Sequence, residues 1–367
     1  MAEAWANHFG HGRVEASSAG SYPFGSIVKE TYVVMGEKGI TLDGQCSKGL
    51  RDVALEDMDV LVIQHQPGLI TWQALADLLG DPRLAGRHII VTLHSVRWLF
   101  DARKEDRLQF IAALRNISRV LVHTAADLNL LKGLNLIDNV TLLPHGSMQG
   151  AEIRPPRNLP RGSAPLIGCY GFFLPGKGIP LLIESIALLR RQWPAVRLRL
   201  VNAEYPVLAS SKEIEMCRTL AAKLGIDDAI EWHTEFLPQE GSNRLLSECD
   251  LVVLPYYESK ESASGAVRVA LASGAPVATT PIGLFEELGD AVLKLPNSDV
   301  QEFADGLRSL LMDVETRRGL QKAASIWLDE HDWSRIARRL NGILSGLHAT
   351  APRKRPVSAA AEKVGKT

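Results

Sequence analysis

The chain has 367 residues, 46% of them hydrophobic and 23% charged, and a formal net charge of −1. That is enough apolar material for two packed domains, and the near-zero charge gives no sign of a nucleic-acid binder. Its apolar runs fall short of the roughly 20 residues that span a bilayer, and Met1 is not followed by a basic region and apolar core, so neither a membrane span nor a secretory leader is expected. Cys46, Cys169, Cys217 and Cys249 are scattered without metal-ligand spacing, which suits reduced thiols in a cytoplasmic protein.

In chain order, residues 2–9 predict a helix, 14–18 a short strand, 26–38 a second helix and 59–63 a strand. From Val60 the pattern changes to three strand-loop units, DVLVIQHQPGLI, RHIIVTLHSV and SRVLVHTAADLN, each an apolar run ending near a histidine: His65, His94 and His123. His145 follows in the Pro144-His145-Gly146 loop. In a parallel sheet, ligands meet the carboxyl ends of the strands, so these histidines are site candidates. A neutral histidine bonding locally in its loop is the competing reading for each.

Residues 151–164 are rich in Pro and Arg and predict an interdomain linker. PLIGCYGFFLPGKGIPLLIESIALLRRQ then reads as strand, glycine loop and amphipathic helix, with Gly171, Lys177 and Gly178 in or near the turn. Glycines let backbone approach a phosphate, and a lysine supplies counter-charge. Residues 230–233 predict a strand, followed by Glu235, Phe236 and a helix from about Pro238. ECDLVVLPYYESKESASGAVRVALASGAPV gives a buried strand ending at Pro255, a polar loop, and a helix opening at Ser262, Ser264, Gly265 and Ala266. Unpaired amides and the helix dipole at such an opening favour a phosphorylated ligand. Residues 284–291 and 299–311 predict further helices, 326–347 a closing amphipathic segment, and 348–367 a disordered tail whose basic residues leave contact with a membrane surface open.

LVVLPYYES and ESASGAVRVALASGAPVATTPIG resemble the donor-domain signature of the retaining family 4 glycosyltransferases. The resemblance implies an α/β, GT-B-like fold of two Rossmann-like parallel-sheet domains. It assigns Lys177 to a donor diphosphate, Glu235 and Phe236 to the nucleobase, Glu261 to the donor sugar, and His94 to the reacting sugar from the other domain, with His65 and His145 as secondary choices. The implied co-substrate is a nucleotide-sugar, the acceptor a saccharide or lipid-linked group, and no metal is expected. Two positions depart from the family pattern: Phe172 stands where an Arg is usual, and Val269 where the second Glu of Glu-x7-Glu falls.

The opening MAEA, Ser18-Ala19-Gly20, Gly39-Ile40 and Ser47-Lys48 resemble the low-molecular-weight tyrosine phosphatases and arsenate reductases. That family's nucleophilic Cys and phosphate loop precede the MAEA helix, whereas no Cys lies before Cys46 here; Asp81-Pro82 reads as a turn rather than the family's acid. Hydrolase activity is therefore not expected, and the segment is read as scaffold. The expected organisation is a phosphatase-like segment (1–62) joined to the first sheet, a partial acceptor domain (60–150), the linker (151–164), a donor domain (165–347) and the tail (348–367), with the first domain truncated or hybrid. A catalytically silent nucleotide-sugar binder is the main alternative, and a phosphatase-like hydrolase the lesser one.

Overall fold

The computed structural model describes residues 2–10, 15–20, 27, 29–36, 39–67, 69–160, 162–297, 299–348 and 350. The expected tail, apart from positions 348 and 350, lies outside the described residues. Two parallel sheets organise the chain, four strands in the first and six in the second.

The first sheet runs in the order β1 (Val60–His65), β2 (His88–Leu93), β3 (Arg119–Val122) and β4 (Val140–Leu142). Every residue of β2 is buried, as a central parallel strand covered on both faces requires. The crossovers are α3 (Trp72–Leu79), α4 (Lys104–Arg115) and α5 (Ala125–Gly133). Thr71 and Thr124 cap α3 and α5 by accepting from the amides of Ala74 and Asp127.

The phosphatase-like segment has a small core of its own. Its helices are α1 (Ala2–Gly10) and α2 (Lys29–Gly36), and Met35, Ile40 and Leu42 are buried there with Ala4. The strand expected over 14–18 does not form in residues 15–18. There the backbone bonds to side chains of α1 instead. The Ala16 N–H and C=O both pair with Asn7, at 2.7 and 2.9 Å, and the Ser18 N–H donates to Glu3 at 2.7 Å. Lys48 completes the anchor with an ion pair to Glu3 at 2.7 Å. The join to the sheet is made by β1 and by Leu55, which is buried in the sheet's core.

The second sheet has the order β10 (Leu293–Lys294), β9 (Val277–Thr279), β8 (Leu251–Leu254), β5 (Leu166–Phe173), β6 (Arg197–Glu204) and β7 (Ile230–His233). Its helices are α6 (Ile179–Gln192), α7 (Leu208–Leu224), α8 (Gln239–Ser247), α9 (Gly265–Ala272), α10 (Val300–Met312) and α11 (Val314–Glu330). The segment expected as a helix over 284–291 is instead a kinked 3-10 stretch, Gly283–Ala291, broken at Gly289 with φ 51°. Residues 151–160 and 162–164 carry no helix or strand and lie pinned to this domain. Arg157 holds the buried Asp250 through two bonds of 2.8 and 2.5 Å, and Gln321 donates to the Arg154 carbonyl at 2.8 Å.

The closing amphipathic segment expected over 326–347 holds the end of α11 and nearly all of α12 (Trp333–His348). α11 stops at His331, the Asp332 carboxylate accepts from the Ser334 amide, and α12 crosses back to the first domain. There Ile336 and Leu347 are buried against Ile90, Leu121 and Leu143. Among the described residues no helix is long and apolar enough to cross a membrane.

Candidate functional site

A cleft of about 390 Å³ opens at the carboxyl ends of β5 and β8, beneath the N terminus of α9. This is where an open parallel sheet presents its loops to a ligand. Gly171, with φ 138°, stands two residues before the end of β5, and the turn beyond the strand passes through Gly176 and Gly178, with φ 89° and 70°. A Cβ at Gly178 would overlap the Pro255 carbonyl, so only glycine lets this loop lie against the end of β8. The close approach projects Lys177 into the cleft. Its ammonium sits 4.1 Å from the centre of the buried Tyr256 ring and 3.7 Å from a Glu261 carboxylate oxygen.

Across from Lys177, Ser264 caps α9 by accepting from the Val267 amide at 3.4 Å. Gly265 and Ala266, in the first turn, belong to the cleft wall, where the helix's positive end can meet an anion. The opposite end of the cleft is aromatic and acidic. Phe172 and Phe236 lie with ring centres 6.3 Å apart and planes within 17°, and Glu235 stands beside them.

Of the residues nominated from the sequence, Gly171, Lys177, Glu235, Phe236, Glu261, Ser264, Gly265 and Ala266 share this one cleft. Gly178 supports it from below, and Ser262 is buried outside the cleft wall. Sequence reasoning missed Tyr256 as the floor beneath Lys177; its place at the end of a buried strand was the available signal. Val269 lines the cleft, so the position of the absent second carboxylate does face the site.

The first domain brings its histidines into a row. His65 is fully buried between Trp98 and Phe110, with ring centres at 6.1 and 5.8 Å, and burial pushes its pKa down to about 4. His65 is thus a core side chain. His123 bonds through Nδ1 to the Leu143 carbonyl at 3.0 Å, and its Nε2 lies 3.1 Å from Nδ1 of His94. Since a carbonyl only accepts, His123 carries its proton on Nδ1 and its Nε2 accepts from His94. Nε2 of His94 lies 2.8 Å from the Gln64 Oε1; a neutral His94 has its lone pair there, and the Gln64 amide then turns over to present its NH2. Burial lowers the pKa of His94, and that of His123 and His145 to about 4.

His94 does not line the cleft that holds Lys177, yet it borders the domain seam. The neighbouring Ser95 hydroxyl donates to the Lys260 carbonyl at 2.7 Å, and Lys260 precedes Glu261. Arg97 reaches Glu258 at 2.8 Å, and Lys260 pairs with Asp101, so the loop carrying Glu261 is held by the first domain. Among the described residues no group of three His, Cys, Asp or Glu side chains is placed to hold a metal ion.

Residues 164–313 match the family model of group 1 glycosyl transferases, and residues 1–69 that of low molecular weight phosphotyrosine protein phosphatase. Both expected resemblances are borne out. Among curated relatives, a D-inositol 3-phosphate glycosyltransferase of Saccharomonospora viridis is 30% identical over 180 residues, covering 47% of this chain and 40% of the relative. The protein of that name from Arthrobacter sp. is 25% identical over 281 residues, covering 72% of this chain and 64% of the relative. The chain thus spans from 40% to 64% of the length of these relatives. Sucrose-phosphate synthase of Thermosynechococcus elongatus superposes with a TM-score of 0.65 at 19% identity, covering 92% of this chain and 85% of that one. Anabaena HepE, solved with UDP, gives 0.64 at 16% identity, covering 79% of each chain. The fold is GT-B, as the sequence led us to expect.

Proposed function

We propose that the chain transfers a sugar from a nucleotide-sugar to a saccharide or lipid-linked acceptor with retention of anomeric configuration. The observation that carries this reading is the convergence of Lys177 and the N terminus of α9 on one cleft whose other end is aromatic. A nucleoside diphosphate matches that polarity end to end. As the glycosidic bond to the diphosphate lengthens, negative charge grows on the leaving oxygen. Lys177 and the unpaired amides of α9 offset it without reorganising, so the reaction draws on no metal. Glu261 orients the donor sugar, and His94 faces it across the seam. The solved relative that holds UDP, and one that holds UDP and glucose, support a donor site of this kind. Four unpaired cysteines suit a reducing compartment, and we place the chain in the cytoplasm.

A second reading, a silent nucleotide-sugar binder, is favoured by Phe172 and Val269 standing where the resemblance implies a cation and a carboxylate. Calorimetry against nucleoside diphosphates, followed by assay of nucleotide release from their sugar derivatives, separates the two. Binding without release from any donor identifies the silent binder. Failure of every nucleotide to bind overturns both.

A further inference from the structure

We infer, resting on the reading of the cleft as a nucleotide-sugar donor site, that the base it accepts is guanine. The three strands β5, β6 and β7 lie side by side, and at their carboxyl ends stand Phe172, the last residue but one of β5, Tyr205 just past β6, and the Glu235-Phe236 pair in the loop after β7. Phe236 lines the cleft and is 76% exposed, so its ring is open to a ligand. Its ring lies nearly parallel to Phe172, which Tyr205 supports edge-on with ring centres at 5.0 Å. The result is a flat aromatic shelf on which a heterocyclic base can stack.

Stacking tolerates any base; the neighbouring carboxylate does not. Glu235 lines the cleft beside the shelf, its side chain 60% exposed, with the His233 Nδ1 at 3.7 Å, beyond hydrogen-bond reach. An ionised carboxylate only accepts, and its two oxygens best match two adjacent donors. Guanine alone offers that pair on its pairing edge, N1–H next to the N2 amino group. Uracil shows a single N3–H between two carbonyl oxygens, both repelled by a carboxylate. Adenine and cytosine place an amino group beside a ring nitrogen that is itself an acceptor. Charge-assisted hydrogen bonds are strong enough to separate these bases by about tenfold or more.

The test is calorimetric titration of the full chain, and of Glu235→Gln and Lys177→Ala, with GDP, UDP, ADP and CDP. The expected result is GDP bound at least about tenfold more tightly than the others, with Glu235→Gln removing most of that advantage and leaving UDP within about twofold. Lys177→Ala weakens all four in parallel, which reports on the diphosphate alone. If UDP, ADP or CDP matches GDP, or if Glu235→Gln leaves GDP binding unchanged, the guanine assignment fails while the donor site stands. If the unaltered chain binds no nucleotide, the donor site fails with it. A melting curve of Glu235→Gln coincident with that of the parent shows that its folding is intact.

Discussion

The Lys177 ammonium and the Glu261 carboxylate lie 3.7 Å apart, close enough to attract but not to share a direct hydrogen bond. Each is therefore ready to take a different part of one ligand. Removing Glu261 frees Lys177 from a competing anion, so Glu261→Ala should leave nucleoside diphosphate affinity unchanged or slightly raised. Sugar transfer should fall by about 100-fold, the loss that follows a misplaced reacting group. Steady-state kinetics beside calorimetry checks this. A parallel loss of binding and turnover would show that Glu261 acts on the nucleotide instead.

Lys177 has the opposite signature. Held over Tyr256 at 4.1 Å and largely buried, it has a fixed direction, and Lys177→Ala should weaken nucleoside diphosphate binding by about tenfold or more. A nucleoside without phosphates should bind both proteins alike. Equal diphosphate affinity in parent and variant would remove Lys177 from the site.

Two glycines of the same turn separate backbone strain from collision. Both have positive φ, but the space where a Gly176 side chain would project is open, while at Gly178 it is filled by the Pro255 carbonyl. Gly176→Ala should cost about 1 kcal/mol, the penalty for a left-handed non-glycine residue. Gly178→Ala should cost about 3 kcal/mol or more, because the loop must also move off β8. Comparative thermal melts resolve a difference of that size as several degrees.

The buried histidines set a pH limit. His65, His123 and His145 are each pushed by burial to a pKa of about 4, while an unfolded histidine titrates near about 6.5. Between those values the unfolded chain binds more protons than the native one, so stability rises with pH. The full contribution is present above pH of about 6.5 and drains away as pH falls toward about 4. Urea midpoints should drop sharply between pH 7 and pH 5, and His123→Gln should flatten that slope. An unchanged slope in the variant would mean that His123 titrates alike in both states.

The second domain was legible because its loops obey local rules. Lys177 sits among glycines just after a strand, and Ser264-Gly265 opens a helix after LVVL, so strand-end and cap rules reach both. Phe172 against Phe236 was not legible, since strand order rather than sequence spacing joins the ends of β5 and β7. Tyr256 beneath Lys177 depends likewise on β8 pairing with β5. In the first sixty residues the apolar pattern suggested a strand, but Asn7 and Glu3 satisfy the backbone groups it would have offered a partner. The break between α11 and α12 was hidden because the apolar stripe continues through it while its partners change from the second domain to the first.

That change of partner makes α12 a test of how independent the donor site is. Ile336 is 4% exposed and packs with Ile90, Leu121 and Leu143 on the first sheet, far along the chain from every residue that lines the cleft. Truncating it leaves a cavity between helix and sheet, and Ile336→Ala should cost about 2–4 kcal/mol. The loss falls on the first domain, which has the smaller sheet and gains part of its cover from α12. The Lys177 loop and α9 both belong to the second domain, so nucleoside diphosphate affinity at 25 °C should stay within about twofold, less than 0.5 kcal/mol. Transfer should fall as α12 loosens, because His94 and Ser95 reach the seam from the destabilised sheet. Melting, calorimetry and kinetics on this one variant thus distinguish a donor site that is self-sufficient from one that the first domain helps to build. A large drop in nucleotide affinity would establish the latter.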